Sequence, residues 1–267
     1  MSTETAALLA AYDEQLRTDA EVAGALAVHR LGPVRLATFP AGQGFVTTPR
    51  LTGVGADQAR GWVAAAVEHF RQDPGIREVE WKTRQHDDAP GLHDALLEHG
   101  FEPDEPESIM IGRAELLAVD VPLPDGVTLR RIDTEADVRA MSAMADVAFG
   151  EPVSDAHAEF ALSRLASGDG TELWVAEAGG VMVSAGRLEP VRDSDFAGIW
   201  GGSTLEGWRG RGIYRALTAA RARSALALGK TLVNSDSTEM SRPILERSGL
   251  AKVSTTTPYL WRRGGSG

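Results

Sequence analysis

Thr204-Leu205-Glu206-Gly207-Trp208-Arg209-Gly210-Arg211-Gly212-Ile213-Tyr214-Arg215 is the stretch on which the reading of this chain turns. It follows an apolar, glycine-rich run, Phe196 to Ser203, that reads as a strand. It precedes an alanine-rich run, Ile213 to Leu228, that reads as a helix. Glycines between a strand and a helix let backbone N–H groups turn outward around an anion, and the start of the helix adds partial positive charge there. Arg209, Arg211 and Arg215 bring full charges to the same turn. The combination is a receptor for a pyrophosphate and points to a nucleotide-bearing cofactor.

The pattern selects among such cofactors. A dinucleotide fold wants G-x-G-x-x-G; Gly210 and Gly212 fit, but the third position falls on Arg215. The Gly-Lys-Ser/Thr ending of an ATP-binding P-loop is missing. Downstream, Thr231 to Asn234 is β-rich, Glu239 to Ser248 is helical, and Gly249 suits a left-handed helix cap. Two strands are expected after it, Ala251–Thr255 and Tyr259–Arg262. Upstream, Val127–Ile132, Leu173–Ala178 and Val181–Glu189 read as strands, the last two joined by a Gly179-Gly180 hairpin turn. Two helical stretches, Glu135–Phe149 and Asp155–Leu165, fill the gap between the first two strands.

This order, with Arg209 and Gly212 in an Arg/Gln-x-x-Gly-x-Gly/Ala loop, resembles the GNAT superfamily of acyltransferases across Val127 to Arg263. Tyr214 stands where a small residue is usual. The resemblance implies an α+β fold, a mixed, mostly antiparallel sheet flanked by helices, with acetyl-CoA or another acyl-CoA as co-substrate. It implies cofactor contacts from Thr204, Leu205, Glu206, Arg209, Gly210, Arg211, Gly212, Ile213 and Tyr214, and from Ser237 and Ser241. The expected reaction is direct transfer of the acyl group to a primary amine of a small molecule. The sequence departs from the family twice. Leu245 holds the place of the usual tyrosine acid, and Gly198 that of the usual glutamate base. Asp236, Ser241, Glu189 and Tyr259 are the candidate catalytic substitutes, with Ser237 also a natural helix N-cap. A non-catalytic acyl-CoA-binding protein and a CoA-thioester decarboxylase stay open as alternatives, since neither needs an amine base.

At 267 residues the chain has room for two domains, and 43% hydrophobic with 24% charged residues is ordinary globular composition. Cysteine is absent, which removes disulfides, thiolate metal sites and cysteine nucleophiles, and fits a reducing, cytoplasmic setting. A net charge of −11 argues against nucleic acid. No run of about 18 apolar residues is present to span a membrane. Met1 to Asp19 reads as an amphipathic helix without the basic start of a signal peptide. A monomer or homodimer is expected.

The linker 119–126, with Pro122, Pro124 and Gly126, separates residues 1–118 from 127–263, and 264–267 reads as a flexible tail. The first segment repeats the second in degraded form. Strands at Ala25–His29, Val34–Phe39 and Gly44–Thr48 precede a helix, Ala56 to Arg71, a strand, Arg77–Lys82, and a helix, Gly91–Glu98, closed by Gly100. Thr52-Gly53-Val54-Gly55 falls where Arg209-Gly210-Arg211-Gly212 falls, with both arginines gone. Gly55 to Gly100 spans 45 positions against 37 from Gly212 to Gly249, which places an insertion near Gln85–Pro90. This copy is expected to have lost cofactor binding, because a pyrophosphate there would meet amides without a charged partner. His86, Asp87, Asp88 and His93 are metal-ligand types, but they lack helical pairing and read as a surface loop; no metal is expected. No Gly-x-Ser-x-Gly elbow is present to suggest a serine hydrolase.

Overall fold

The computed structural model describes residues 2–264. The first half of the chain forms α1 (Thr3–Gln15), β1 (Ala27–Leu31), β2 (Val34–Phe39), β3 (Gln43–Thr47), α2 (Ala56–Gln72), β4 (Glu78–Arg84), α3 (Leu92–Glu98), β5 (Glu102–Pro103), β6 (Glu107–Arg113) and α4 (Ala114–Leu117). The second forms β7 (Val127–Ile132), α5 (Glu135–Phe149), α6 (Ala156–Ala166), β8 (Glu172–Ala178), β9 (Val181–Pro190), β10 (Phe196–Thr204), α7 (Ile213–Ala227), β11 (Leu232–Ser237), α8 (Arg242–Arg247) and β12 (Ala251–Arg262). Of the expected tail, only Gly264 lies within the described residues.

Compactness divides the chain differently from the linker. One unit comprises the residues up to Ile109 with Ser237–Glu239 and the stretch from Lys252; the other comprises Met110–Asp236 with Met240–Ala251. In the first unit β1, β2 and β3 are antiparallel, β3 pairs parallel with β4 across α2, and β12 pairs antiparallel with β4. In the second, β7 to β10 are antiparallel, β10 pairs parallel with β11 across α7, and β6 lies beside β11. Each unit therefore completes its sheet with a strand from the other half of the chain. The sequence reading missed β6 altogether. Its Ile109, Met110 and Ile111 are all buried, and such a short continuous apolar run carries no period to mark it.

The C-terminal segment is one strand, not the two expected. The β-branched run Thr255-Thr256-Thr257 carries extended backbone into Pro258, whose missing N–H is tolerated while its carbonyl still accepts from the Asp104 amide at 2.8 Å. The helix expected from Glu239 starts only at Arg242, with Pro243 in its first turn, a position that suits proline's fixed φ.

Both cores follow from alternation. In α2, Ala59, Val63, Ala66, Val67 and Phe70 bury one stripe against Trp81, Phe101 and Trp261. In the second unit, Ala176 packs with Ile213 and Leu217 of α7, while its neighbour Val175 packs with Val138 and Met141 of α5. Successive strand residues face opposite ways, so α7 covers one face of the sheet and α5 with α6 the other. Among the described residues no helix is long and apolar enough to cross a membrane.

Trp261 is 7% exposed in β12 and belongs to the first unit's core. Trp261→Ala is expected to cost about 3–5 kcal/mol in denaturant unfolding. Hydrogen exchange should then show protection lost in β2–β4 before β9–β11.

Candidate functional site

The turn after β10 is built by two glycines in the left-handed region, Gly210 (φ 75°) and Gly212 (φ 81°). Gly212 is the N-cap of α7 and brings no capping side chain. The first amide of α7 to find a helical carbonyl is that of Ala216, on Gly212. The amides of Ile213, Tyr214 and Arg215 are thus the donors any helix leaves for an outside acceptor at its start. Arg209 does not reach outward. Its guanidinium donates to the Thr204 carbonyl at 3.0 Å and the Ala148 carbonyl at 2.8 Å, tying the turn to the end of α5. Arg211 lies over the Trp208 ring at 4.8 Å. Arg215 is exposed on the first turn of the helix.

Just before this turn the sheet forks. β10 and β11 stay in register only over Phe196–Gly198 and Leu232–Asn234, although β10 runs on to Thr204. A bulge between Trp200 and Ser203, with Gly201 at φ 60°, adds one residue to β10 against β9 and bends it at this point. Beneath the bulge Arg221 of α7, 1% exposed, donates to the carbonyls of Arg187 (3.2 Å) and Trp200 (3.4 Å). Burial pushes its guanidinium down to about 10. At the fork Asn234 Oδ1 and Ser203 Oγ are buried without a hydrogen-bond partner.

On the α5/α6 face a cavity of about 350 Å³ opens beside the bulge. Met141, Ala145, Phe149, Phe160 and Ala161 give it apolar walls, and Gly201, Arg187 and His157 also line it. His157 is held by Asp146 of α5, 2.7 Å from Nδ1 to Oδ1. Asp146 is 1% exposed, and its other oxygen accepts the Ser154 amide at 2.9 Å. That amide and the imidazole hold its carboxyl below the usual carboxylate range, against the opposing effect of burial.

Neither a family model nor a curated protein sequence matches the chain. Solved structures do. The chain is similar to a GCN5-related N-acetyltransferase from Kribbella flavida, with a TM-score of 0.66 at 18% identity, covering 98% of this chain and 95% of that one. The fold is the GNAT fold. It is also similar to a tandem GNAT protein from the clavulanic acid biosynthesis pathway, with a TM-score of 0.61 at 16% identity, covering 88% and 79%. A GCN5-related N-acetyltransferase from Sphaerobacter thermophilus gives 0.59 at 20% identity, covering 88% and 83%. At these identities the likeness is one of fold.

Within the GNAT fold the residues read from the sequence separate into two groups. Thr204 ends β10 with its hydroxyl 2.8 Å from that of Ser184, and the Leu205 amide donates to the Val183 carbonyl at 3.0 Å. Glu206 is exposed in the following short turn. Tyr214 packs its ring against Gly202, where an added Cβ would meet it at 2.6 Å; burial pushes its phenol up. Glu189 faces Gly198 across the strands and pairs with Arg187 at 2.5 Å and Arg164 at 3.7 Å. Trp200 folds its indole over Gly198, which brings no side chain of its own. Leu245 is fully buried in the core beside Val233 and Leu250. Asp236 is half-buried on β11. Ser241, not Ser237, takes the N-cap position of α8, accepting the Ile244 and Leu245 amides on its carbonyl. Ser237 ends β11 and belongs to the first unit. Tyr259 belongs there too, packed in that core with its hydroxyl shared with His93. The His157–Asp146 pair was missed, because one histidine and one aspartate on different helices leave no spacing signal.

The first unit's counterpart of the turn is already filled. The Leu51 amide donates to Asp87 Oδ1 at 3.1 Å and the Gly53 amide to Asp88 Oδ2 at 3.0 Å. Arg17, fully buried, grips Asp87 at 2.8 Å and the Pro49 carbonyl at 2.8 Å. His86, expected on a surface loop, is instead anchored between Asp13 (3.0 Å) and Ser254 (2.6 Å). The insertion thus supplies its own anions to the amides of Leu51 and Gly53, and its Asp87 and His86 are held by groups outside it, Arg17, Asp13 and Ser254.

Gly212→Ala forces a Cβ into the left-handed region and is expected to cost about 1–2 kcal/mol in denaturant unfolding. Gly207→Ala is the control: it has open space around it and an ordinary φ, and should change stability little.

Proposed function

We propose that the second unit is an acyl-CoA-dependent N-acyltransferase site, acting on a primary amine carried by a small, apolar body. The observation that carries this reading is the conjunction of an anion-receiving turn with a forked strand pair on one element, β10. The pyrophosphate would rest on the amides from Gly210 to Tyr214, with Arg211 and Arg215 supplying charge. A pantetheine arm carries amide groups and would lie along β10 where β11 has parted from it, as an added strand does. The unpartnered Asn234 Oδ1 at the fork is suited to an amide N–H. The acyl carbonyl would then reach the bulge at Gly201–Gly202, where backbone amides can meet a developing oxyanion. The cavity beside Gly201 is the acceptor's seat, and its aromatic and aliphatic walls favour an apolar amine over an amino sugar.

The first unit, its turn occupied by Asp87 and Asp88, is inferred to bind no acyl-CoA. A second reading, binding without turnover, is favoured by Gly198 and Leu245, which offer no proton-transfer group at the two usual positions.

Thermal melting and thiol release test these readings together. Acetyl-CoA at about 100 times its Kd should add roughly 2.7 kcal/mol of stability, NAD should add none, and free thiol should appear with arylalkyl or alkyl amines faster than with amino sugars. Stabilisation without thiol release under any amine would favour the binding reading. Thiol release from malonyl-CoA with no amine present, or stabilisation by NAD, would contradict the proposal.

A further inference from the structure

We propose that His157, oriented by Asp146, is the general base that takes the proton from the acceptor amine; this rests on the acyltransferase reading above. Three observations converge. His157 lines the same cavity as Gly201 and Arg187, so it shares the acceptor's seat with the bulged part of β10. Its Nδ1 lies 2.7 Å from Oδ1 of a carboxylate that is 1% exposed. An ionised carboxylate only accepts, so Nδ1–H donates, and in the neutral form of the ring Nε2 is the proton acceptor. The carboxylate cannot swing away, because its second oxygen is fixed on the Ser154 amide at 2.9 Å.

The alternative carboxylate of this face is engaged. Glu189 is paired with Arg187 and Arg164, and Gly198 brings no side chain. The charged groups around His157 are few. An oxygen of Glu151, after α5, lies within 4.8 Å of the Asp146–His157 pair. On its own helix Asp155 and Glu159 are bound to Arg139, and on β9 Arg187 is bound to Glu189. His157 is 60% exposed in its side chain and can exchange its proton with water.

The step balances without any further reagent. The ammonium group of the acceptor gives one proton to Nε2, and the freed nitrogen lone pair attacks the thioester carbonyl carbon. The C–N bond forms, the C–S bond breaks, and its electron pair leaves on sulfur. The second amine proton neutralises the thiolate, and the imidazolium returns its proton to water. The products are amide, free CoA thiol and one proton.

Kinetics of His157→Gln and Asp146→Asn test this. His157→Gln should lower kcat/KM for the amine by about 10²-fold or more near neutral pH. Its affinity for acetyl-CoA, read by thermal melting, should be unchanged. The acid-side limb of the pH profile should disappear, and the deficit should shrink at alkaline pH, where the amine is already neutral. Asp146→Asn should leave CoA affinity intact while moving that limb. A His157→Gln protein that keeps wild-type thiol release across the pH range overturns the role of His157 and leaves acyl transfer standing. A wild-type protein that releases no thiol with any amine overturns both.

Discussion

The parting of β10 from β11 after Gly198 and Asn234 is the constraint on which the second unit depends. Parallel pairing normally satisfies both strand edges; here a bulge at Gly201–Gly202 turns β10 away before its end. A bend of this kind exposes backbone groups and must be held. Arg221 does the holding, a buried guanidinium that donates to main-chain carbonyls of both paired strands where the bulge begins, and which among the described residues forms no ion pair with a carboxylate. Small residues let α7 come close enough for this: Ala216, Ala219, Ala220 and Ala222 are all buried, and Gly186 leaves room where a Cβ would stand 2.5 Å from the arginine. The same helix then begins at Gly212 with its amides uncapped. One helix therefore fixes the fork at its middle and presents uncapped amides at its start.

The two units share a strand order and differ in what meets the turn. In the second, the amides at the start of α7 face outward with Arg211 and Arg215 nearby. In the first, two carboxylates from the insertion after β4 take the amides of Leu51 and Gly53, and Arg17 locks one of them in place. An anion approaching that turn would have to displace Asp87, whose side chain is buried and paired with Arg17, which is far costlier than displacing water. The first unit thus lacks the arginines and fills its turn with carboxylates from its own chain.

The glycine–arginine turn and the order of strands around it were legible in the sequence because each depends on local chemistry: φ > 0 at Gly210 and Gly212, period-2 runs, and a helix of small residues. What the sequence did not disclose depends on residues far apart. That β12 completes the first sheet and β6 the second follows from packing of Trp261 and Met110, which no local pattern records. Asp87 looked like an exposed loop residue, since its partners Arg17 and Leu51 lie more than thirty positions away. Tyr259 fitted a catalytic donor by type and lies in a core. His157 and Asp146, eleven positions apart across the α5–α6 connection, meet only once that connection is folded.

Calorimetric titration of the intact chain with acetyl-CoA, beside Gly212→Glu and Gly53→Glu variants, tests the central claim most directly. The account predicts one site per chain, lost in Gly212→Glu and kept in Gly53→Glu. Two sites per chain, or a single site that survives Gly212→Glu, would contradict it.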